Sequence, residues 1–190
     1  MRNAVGSEWS FLPMQKTSPE PVPRIAILTV SDRSARGERL DAAGPILAEA
    51  IKAQGWHIIV QQVLPDDQLS LEEKLMAWCD SGELDVILTT GGTGFSPRDV
   101  TPEATRAVIE RDAPGLAEAM RSESLKVTPH AMLSRANAGI RKNTLIVNLP
   151  GSPKAAAENL QVILPVLPHA VQLLRESPEA EAGHPFRPAA

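Results

Sequence analysis

Residues 85–94 read DVILTTGGTG. The first six residues favour a buried strand, and three of the four that follow are glycine. Its apolar residues, Val86, Ile87 and Leu88, follow one another without the polar alternation of a strand that faces water on one side. Such a strand is covered on both faces, as in a parallel sheet flanked by helices. The glycines let the backbone turn sharply and expose N–H groups, an arrangement that binds phosphate. The stretch therefore predicts an α/β fold with a binding loop at the end of a buried strand.

Similar apolar runs occur on both sides of this stretch. They predict further strands at residues 25–30, 56–64 and 144–149. Segments with helical spacing alternate with these runs along the chain. Because strands that alternate with helices usually form a parallel sheet, we expect a three-layer α/β/α sandwich with a mostly parallel sheet, in which one edge strand can run antiparallel.

Glycine and proline mark where the predicted helices end. A helix is predicted over residues 42–53, and Gly55 should end it. The helix that begins at Pro153 should break near Leu164, because Pro165 follows directly and proline disrupts a helix interior.

Polar residues mark where three helices begin. Ser70 and Glu73 have the spacing of a capping box, which predicts a helix N-terminus at Ser70. Thr101 and Ser152 each precede a proline, and a hydroxyl before a proline at the first helical position predicts an N-cap.

The composition indicates one domain with two extensions. Seven of the 17 prolines lie before residue 24 or after residue 175. We therefore expect a flexible Pro-rich N-terminal extension at 1–23, one domain at 24–175 and a flexible tail at 176–190. Aromatic residues make up 3% of the chain and the net charge is −4, which argues against a nucleic-acid partner.

Cysteine content and hydropathy predict the compartment. The chain has one cysteine, so it can form no internal disulfide, and it has no apolar run long enough to span a membrane. Its first residues lack the apolar segment of a signal peptide. We therefore expect a cytoplasmic protein without membrane contact.

A glycine loop, defined as residues 90–94, is the strongest candidate binding segment. Its spacing fits neither the Rossmann fingerprint nor the P-loop, so a plain strand-to-helix turn is the alternative interpretation. Arg98, Asp99 and Thr101 follow closely and favour a site. The candidate binding residues in the loop are Thr90, Gly91, Gly92, Thr93 and Gly94.

Carboxylates follow two of the predicted strands. Asp66 and Asp67 come directly after the second strand, and Asp99 follows the glycine loop. Taken alone, the first pair is typical of an ordinary turn. Because ligands in such sheets bind at the loops that follow the carboxyl ends of the strands, Asp66 and Asp99 could together hold Mg²⁺, which binds through one or two carboxylates and substrate phosphates.

Two further loops have the same position in the predicted fold. One contains Pro150, Gly151 and Ser152, between the last strand and a helix N-terminus, where free N–H groups favour an anion. The other contains Ser31 and Asp32, directly after the first strand. Either loop is also compatible with a simple connection.

Residues 64–67, 91–105, 129–141 and 148–154 carry motifs that together resemble the molybdopterin adenylyltransferases of molybdenum cofactor synthesis. This family has MogA and MoaB types and is similar to the gephyrin and plant Cnx G domains. The resemblance covers about residues 25–174. One departure lies at residues 41–44, where Asp-Ala-Ala-Gly replaces the frequent Asp-x-Ser-Gly.

The resemblance implies transfer of an adenylyl group from ATP to the terminal phosphate of molybdopterin, with release of pyrophosphate. It implies Asp66 and Asp99 as catalytic residues and Mg²⁺ ligands, with ATP as a substrate, and it adds Ser134 and Arg135 to the binding residues. It also implies a homotrimer and, as a partner, the molybdenum-insertion protein of the same pathway. Two alternatives stay open: a non-catalytic pterin-binding paralogue and an oligomeric scaffold.

Overall fold

Six strands form one sheet in the part of the chain that the computed structural model describes, residues 22–176. The extensions predicted for 1–23 and 176–190 fall almost entirely outside this range. The strands are Arg24–Val30 (β1), His57–Leu64 (β2), Val86–Thr90 (β3), Arg111–Asp112 (β4), Ala138–Arg141 (β5) and Thr144–Leu149 (β6). Their spatial order is β2-β1-β3-β6-β5-β4.

The sheet is parallel except at one edge. β2, β1, β3 and β6 run parallel to one another, whereas β5 is antiparallel to β6 and β4 is antiparallel to β5. Every residue of β3 and β6 is buried, as the unbroken apolar runs predict. The four predicted strands and the mostly parallel sheet are confirmed, and the antiparallel edge consists of two short strands that the sequence patterns did not predict.

Helices cover both faces of the sheet. They are Asp32–Ala35 (α1), Ala43–Ala53 (α2), Gln68–Asp80 (α3), Thr101–Val108 (α4), Pro114–Leu125 (α5), Pro153–Ile163 (α6) and Leu167–Leu174 (α7). Side chains of α2, α5, α6 and α7 form a core on one face, and side chains of α3 and α4 form a core on the other. The predicted three-layer sandwich is confirmed. Between residues 22 and 176, no helix combines the length and hydrophobicity that a bilayer crossing requires.

Strand β1 shows how the two cores position the end of the sheet. Ile25 and Ile27 contribute to one core, and Ala26, Leu28 and Val30 contribute to the other. This division follows from the strand geometry, in which successive side chains point to opposite faces. Because both faces are packed, the carboxyl end of β1 has a fixed place next to the loops that follow β2 and β3.

Two of the predicted helix starts differ from the structure, one by three residues and one by a single residue. Asp67 is the N-cap of α3, and its carboxylate accepts a hydrogen bond of 2.9 Å from the Ser70 amide, so Ser70 lies inside the first turn. Val100 precedes α4, and the hydroxyl of Thr101 donates to the Gly91 carbonyl (2.9 Å) instead of capping the helix.

The other boundary predictions agree with the structure. Gly55, with φ of 76°, follows α2 directly after its C-cap. Ser152 is the N-cap residue of α6, although its side chain makes no capping hydrogen bond. The predicted break is a 3₁₀ turn over Leu164–Val166, which separates α6 from α7.

A buried ion cluster fixes the opposite end of the sheet. The side chain of Asp85, just before β3, is 3% exposed and pairs with Arg24 and Arg175. It accepts from the Arg24 amide (2.7 Å) and Nε (3.1 Å) and from Arg175 Nε (2.9 Å). Burial disfavours the charged carboxylate, but the two guanidinium groups outweigh it and lower the pKa of Asp85. The cluster therefore links the first strand, the third strand and the end of the last helix.

Candidate active site

A cavity of about 700 Å³ lies at the carboxyl ends of β1, β3 and β6, where an α/β sheet of this kind binds ligands. It brings together most of the residues predicted to form the site: Ser31, Asp32, Asp66, Thr90, Gly91, Gly92, Asp99, Gly151 and Ser152. Five predicted binding residues do not line it: Thr93, Gly94, Ser134, Arg135 and Pro150. The four loops singled out in the sequence therefore share one cavity.

Asp32 and Asp66 hold the ends of β1 and β2 together. The Asp32 amide donates to Asp66 Oδ2 (2.8 Å), and the Asp66 amide donates to Asp32 Oδ1 (3.1 Å). The Ser31 amide also donates to the Leu64 carbonyl (2.9 Å), which continues the pairing of the two strands. These reciprocal bonds are possible because β1 and β2 are adjacent and parallel, so their carboxyl ends coincide.

The environment of Asp66 disfavours its charged form. Burial raises the pKa of this carboxyl, and the neighbouring charges of Asp32 and Asp99 raise it further. The Asp32 amide and the Arg98 guanidinium act in the opposite direction without cancelling the rise. Asp66 Oδ1 accepts no hydrogen bond from residues 22–176, and the position that a Cβ of Gly92 would take lies 3.0 Å from it. This oxygen is therefore available to a ligand beside a bare stretch of main chain.

The glycine loop needs its first two glycines for its shape. Gly91 has φ of 104° and Gly92 has φ of 61°, in the region that side chains rarely adopt. A Cβ on Gly91 would collide with the Val30 carbonyl oxygen. The hydroxyl of Thr90 donates to the Pro150 carbonyl (2.7 Å), which joins this loop to the one before α6.

Asp99 is held by its own loop. Its Oδ2 accepts hydrogen bonds from the amides of Gly94 (2.9 Å) and Ser96 (3.1 Å). Its Oδ1 accepts none from the described part of the chain. One oxygen thus fixes the carboxylate, and the other remains for a ligand, as in Asp66.

Arg98 is a site residue whose partner the sequence did not indicate. Its guanidinium binds Asp32 through Nε (3.0 Å) and Nη2 (3.0 Å), and so spans from the glycine loop to the end of β1. Burial opposes the charge on Asp32, but Arg98 and the Asp66 amide outweigh it and lower the pKa of Asp32. Arg98 is 64% exposed, so it lies at the mouth of the cavity, where a phosphate can reach it.

Asp41 is a second lining residue that was missed as a site residue. Its Oδ1 accepts from the amides of Ala43 and Gly44 (both 3.0 Å), and its Oδ2 accepts from the Thr29 hydroxyl (2.7 Å). An aspartate just before a helix is a sequence signal for such capping, and it could have been recognised. Ala43 lies in the same capped turn and lines the cavity.

Asp66 and Asp99 have the chemistry of a magnesium site but not of a site made by protein ligands alone. Among residues 22–176, no three His, Cys, Asp or Glu side chains are grouped to hold a metal ion. Mg²⁺ usually binds through one or two carboxylates and completes its shell with water and substrate phosphates. Two cavity-lining carboxylates, each with one unpaired oxygen, fit this requirement.

Comparison with known proteins places this chain in a family. Residues 26–169 match the family described as "Probable molybdopterin binding domain". Gephyrin of Dictyostelium discoideum is 44% identical over 173 residues, 86% of this chain and 24% of that protein. Molybdopterin adenylyltransferase of Helicobacter pylori (strain J99) is 40% identical over 152 residues, 79% of this chain and 86% of that protein.

A solved structure agrees with these matches. The molybdopterin biosynthesis enzyme MoaB from Thermus thermophilus has a TM-score of 0.78 and 48% identity, and the match covers 83% of this chain and 99% of that one. The chain thus spans about a quarter of gephyrin but most of the length of the bacterial proteins.

Proposed function

The chain belongs to the molybdopterin-binding domain family that it matches over residues 26–169, and on this premise we propose that it acts in molybdenum cofactor biosynthesis as a molybdopterin adenylyltransferase. In this reaction the terminal phosphate of molybdopterin attacks the α-phosphate of ATP. An adenylyl–molybdopterin bond forms, and pyrophosphate leaves. The names of bacterial relatives of similar length support the proposal.

The observation that carries the proposal is the charge arrangement of the cavity. Both substrates are anions, and two unit charges about 4 Å apart repel by roughly 4 kcal/mol at an effective dielectric of ~20. The cavity offers glycine main chain and three arginines to phosphate: Arg33, Arg39 and Arg98. It also offers Asp66 and Asp99, which would repel phosphate unless a cation lies between.

Asp66 and Asp99 would hold Mg²⁺ through their unpaired Oδ1 atoms. When bound, the ion supplies charge neutralisation for the phosphates that approach and separate. The protein orients the substrates, because transfer of this kind needs positioning and charge stabilisation and no protein nucleophile. Arg98 would bind phosphate at the mouth, and the N-terminus of α6 with Gly151 and Ser152 would bind another phosphate.

Pyrophosphate release tests the proposal directly. The wild-type protein is incubated with ATP, Mg²⁺ and molybdopterin, and pyrophosphate is measured. Asp66→Asn and Asp99→Asn should each lower turnover by about 100-fold or more, since each removes a group that stabilises charge during transfer. Asp67→Asn is the matched control, because Asp67 caps α3 outside the cavity and asparagine caps a helix equally well.

Two results would contradict the proposal in different ways. Wild-type protein that binds molybdopterin but releases no pyrophosphate would be a pterin-binding protein without catalysis. Full turnover of Asp99→Asn at saturating Mg²⁺ and ATP would show that the catalytic assignment is wrong.

The family relationship extends the proposal to assembly and location. We expect a cytoplasmic homotrimer that hands its product to the molybdenum-insertion protein of the same pathway. Exposed apolar side chains between the end of α5 and the end of the 3₁₀ turn Pro129–Leu133 support association with other chains: Leu125, Val127, Met132 and Leu133. Light scattering measures the mass of the particle in solution, which should be three times the mass of one chain if the protein is a trimer.

A further inference from the structure

Arg135 does not line the cavity at the carboxyl ends of the strands; it lines a separate hollow of about 480 Å³ together with Phe95 and Glu103. Its amide donates to the Thr93 carbonyl (2.9 Å). Its guanidinium donates to the carbonyls of Gly94 (2.6 Å, from Nε) and Asp99 (2.6 Å, from Nη2). The remaining nitrogen, Nη1, forms an ion pair with Glu103. One residue therefore holds both ends of the segment 93–99.

The shape of the guanidinium makes this arrangement specific for arginine. Its donors lie in one plane and in a rigid fork, so two carbonyls and a carboxylate can be bound at once. Lysine has a single flexible ammonium group and cannot reproduce that geometry. Glu103 lies in the first turn of α4, so its ion pair also joins the segment to the helix that follows it.

The same segment determines where the Asp99 carboxylate lies. Asp99 Oδ2 accepts from the amides of Gly94 and Ser96, whereas Arg135 holds the carbonyls of Gly94 and Asp99. Gly94 is thus fixed through both its N–H and its carbonyl. Loss of Arg135 would free both carbonyls and let the Asp99 carboxylate move relative to Asp66 across the cavity.

From these contacts we propose that Arg135 is a positioning residue, which sets the place of the Asp99 carboxylate and does not contact a substrate. This inference rests on the proposed adenylyl transfer, in which Asp99 is a catalytic carboxylate. It differs from what the resemblance implies, in which Arg135 is one of the binding residues. A ligand-binding arginine would line the cavity, whereas Arg135 does not, and each of its three guanidinium nitrogens donates one N–H to a protein oxygen.

Arg135→Met and Arg135→Lys, compared with Arg141→Met, test the proposal. Arg141 is a matched control because it also binds a carboxylate, that of Asp80 (3.0 and 2.9 Å), and a main-chain carbonyl, that of Val108 (3.3 Å). Arg141 does not line the cavity, and its hydrogen-bond partners lie outside the segment 93–99. Arg141→Met should therefore keep the turnover of the wild-type protein.

Steady-state kinetics separate positioning from binding. With Arg135→Met we expect kcat for pyrophosphate release to fall by roughly 100-fold, the size of effect that a displacement of about 1 Å produces, while KM for ATP changes by less than about threefold. Arg135→Lys should have a kcat no higher than that of Arg135→Met, because a positive charge without the guanidinium geometry does not hold the segment 93–99. Glu103→Gln keeps a hydrogen-bond acceptor for Arg135 but removes the charge, so it should lower kcat by a smaller factor. This variant tests the proposal if the Arg135 variants fail to fold.

Hydrogen exchange gives a readout that does not depend on catalysis. The amides of Gly94 and Ser96 donate to the Asp99 carboxylate. Arg135→Met should therefore speed their exchange by about 10- to 100-fold, as expected for the loss of hydrogen bonds to a charged group. Arg141→Met should leave that exchange unchanged. If the wild-type protein releases no pyrophosphate but this difference appears, the proposed function fails and the positioning of Asp99 stands.

Two results would overturn the proposal. If Arg135→Met keeps kcat but raises KM for ATP or pterin, and Arg135→Lys has the KM of the wild-type protein, Arg135 binds a substrate. If Arg135→Met matches Arg141→Met in both kcat and amide exchange, Arg135 only stabilises the fold.

Discussion

Replacing Gly91 with alanine tests whether the glycine loop depends on its unusual backbone. Gly91 is buried and has φ of 104°, and an added Cβ would collide with the Val30 carbonyl oxygen. That oxygen belongs to the main chain of a packed strand, so it cannot rotate away as a flexible side chain would. Gly115→Ala is the matched control, because Gly115 lies in the first turn of α5 with nothing within 4 Å of the added carbon.

The expected loss of stability has two parts. A positive φ at alanine costs about 1–2 kcal/mol, and forcing a methyl against fixed main chain costs about 1–3 kcal/mol more. The free energy of unfolding of Gly91→Ala should therefore fall by roughly 2–5 kcal/mol, a large part of the ~5–15 kcal/mol of a typical domain. Gly115→Ala should raise it by up to about 1 kcal/mol, because alanine favours a helix more than glycine does.

Urea unfolding followed by circular dichroism measures both variants. With a slope near 2 kcal/mol per M, the midpoint of Gly91→Ala should fall by about 1–2.5 M, and that of Gly115→Ala should rise slightly. Because the collision lies directly before Ser31 and Asp32, Gly91→Ala should also lose pyrophosphate release under conditions where it is folded. A midpoint that falls by less than about 0.5 M would show that neither the backbone strain nor the collision is present.

Three further outcomes follow from individual side chains. Asp85→Asn should lower the free energy of unfolding by about 3 kcal/mol near neutral pH. The pKa of Asp85 is lower in the folded state than its ordinary value of 3.8. Its contribution to the free energy of unfolding is therefore complete above pH 3.8 and is lost as the pH falls through the folded-state pKa. The urea midpoints of Asp85→Asn and wild type should accordingly converge in acid. Arg98→Met should change stability by less than about 1 kcal/mol, since the ion pair with Asp32 is largely exposed, yet weaken ATP binding in calorimetry. Burial raises the pKa of the Cys79 thiol to about 12, so alkylation at about pH 8 should fail in the native protein and go to completion in urea; rapid native labelling would contradict the buried position.

The parts of the fold that sequence predicted are those where local pattern and burial agree. β1, β3 and β6 are fully or almost fully buried, and their unbroken apolar runs were sufficient to locate them. β4 has two residues and β5 has four, too few for a periodic pattern. The long-range packing that makes these short segments into strands is visible only in three dimensions.

Competition between neighbouring side chains explains the two wrong helix starts. Asp67 and Ser70 can both cap a helix, and Asp67 does so because its backbone is extended at that point. Thr101 is 1% exposed, and its hydroxyl serves the Gly91 carbonyl, which no local rule could indicate. In both cases the residue type was suitable, and the position in the fold decided its role.

The candidate site was predicted as a set of loops but not as a set of contacts. Parallel strands with adjacent carboxyl ends imply that Asp66 and Asp99 approach one cavity, and both line it. The pairing of Arg98 with Asp32 depends on where two loops curve, which no spacing along the chain indicates. The resemblance implied Arg135 as a binding residue, whereas its guanidinium donates to three protein oxygens.

The walls of the cavity come from four segments that are far apart in the chain, from Thr29 to Pro153. No one segment can form the site alone, so a chain whose β6 has not yet joined β3 lacks the complete cavity proposed to bind a nucleotide. Ligand binding is therefore coupled to the pairing of the parallel strands, and under the proposed function a nucleotide at 100 times its Kd should add about 2.7 kcal/mol to the stability of the protein. Parallel pairing between distant segments is also slow to form. A nucleotide should therefore stabilise the protein mainly by lowering the rate of unfolding, with little effect on the rate of refolding.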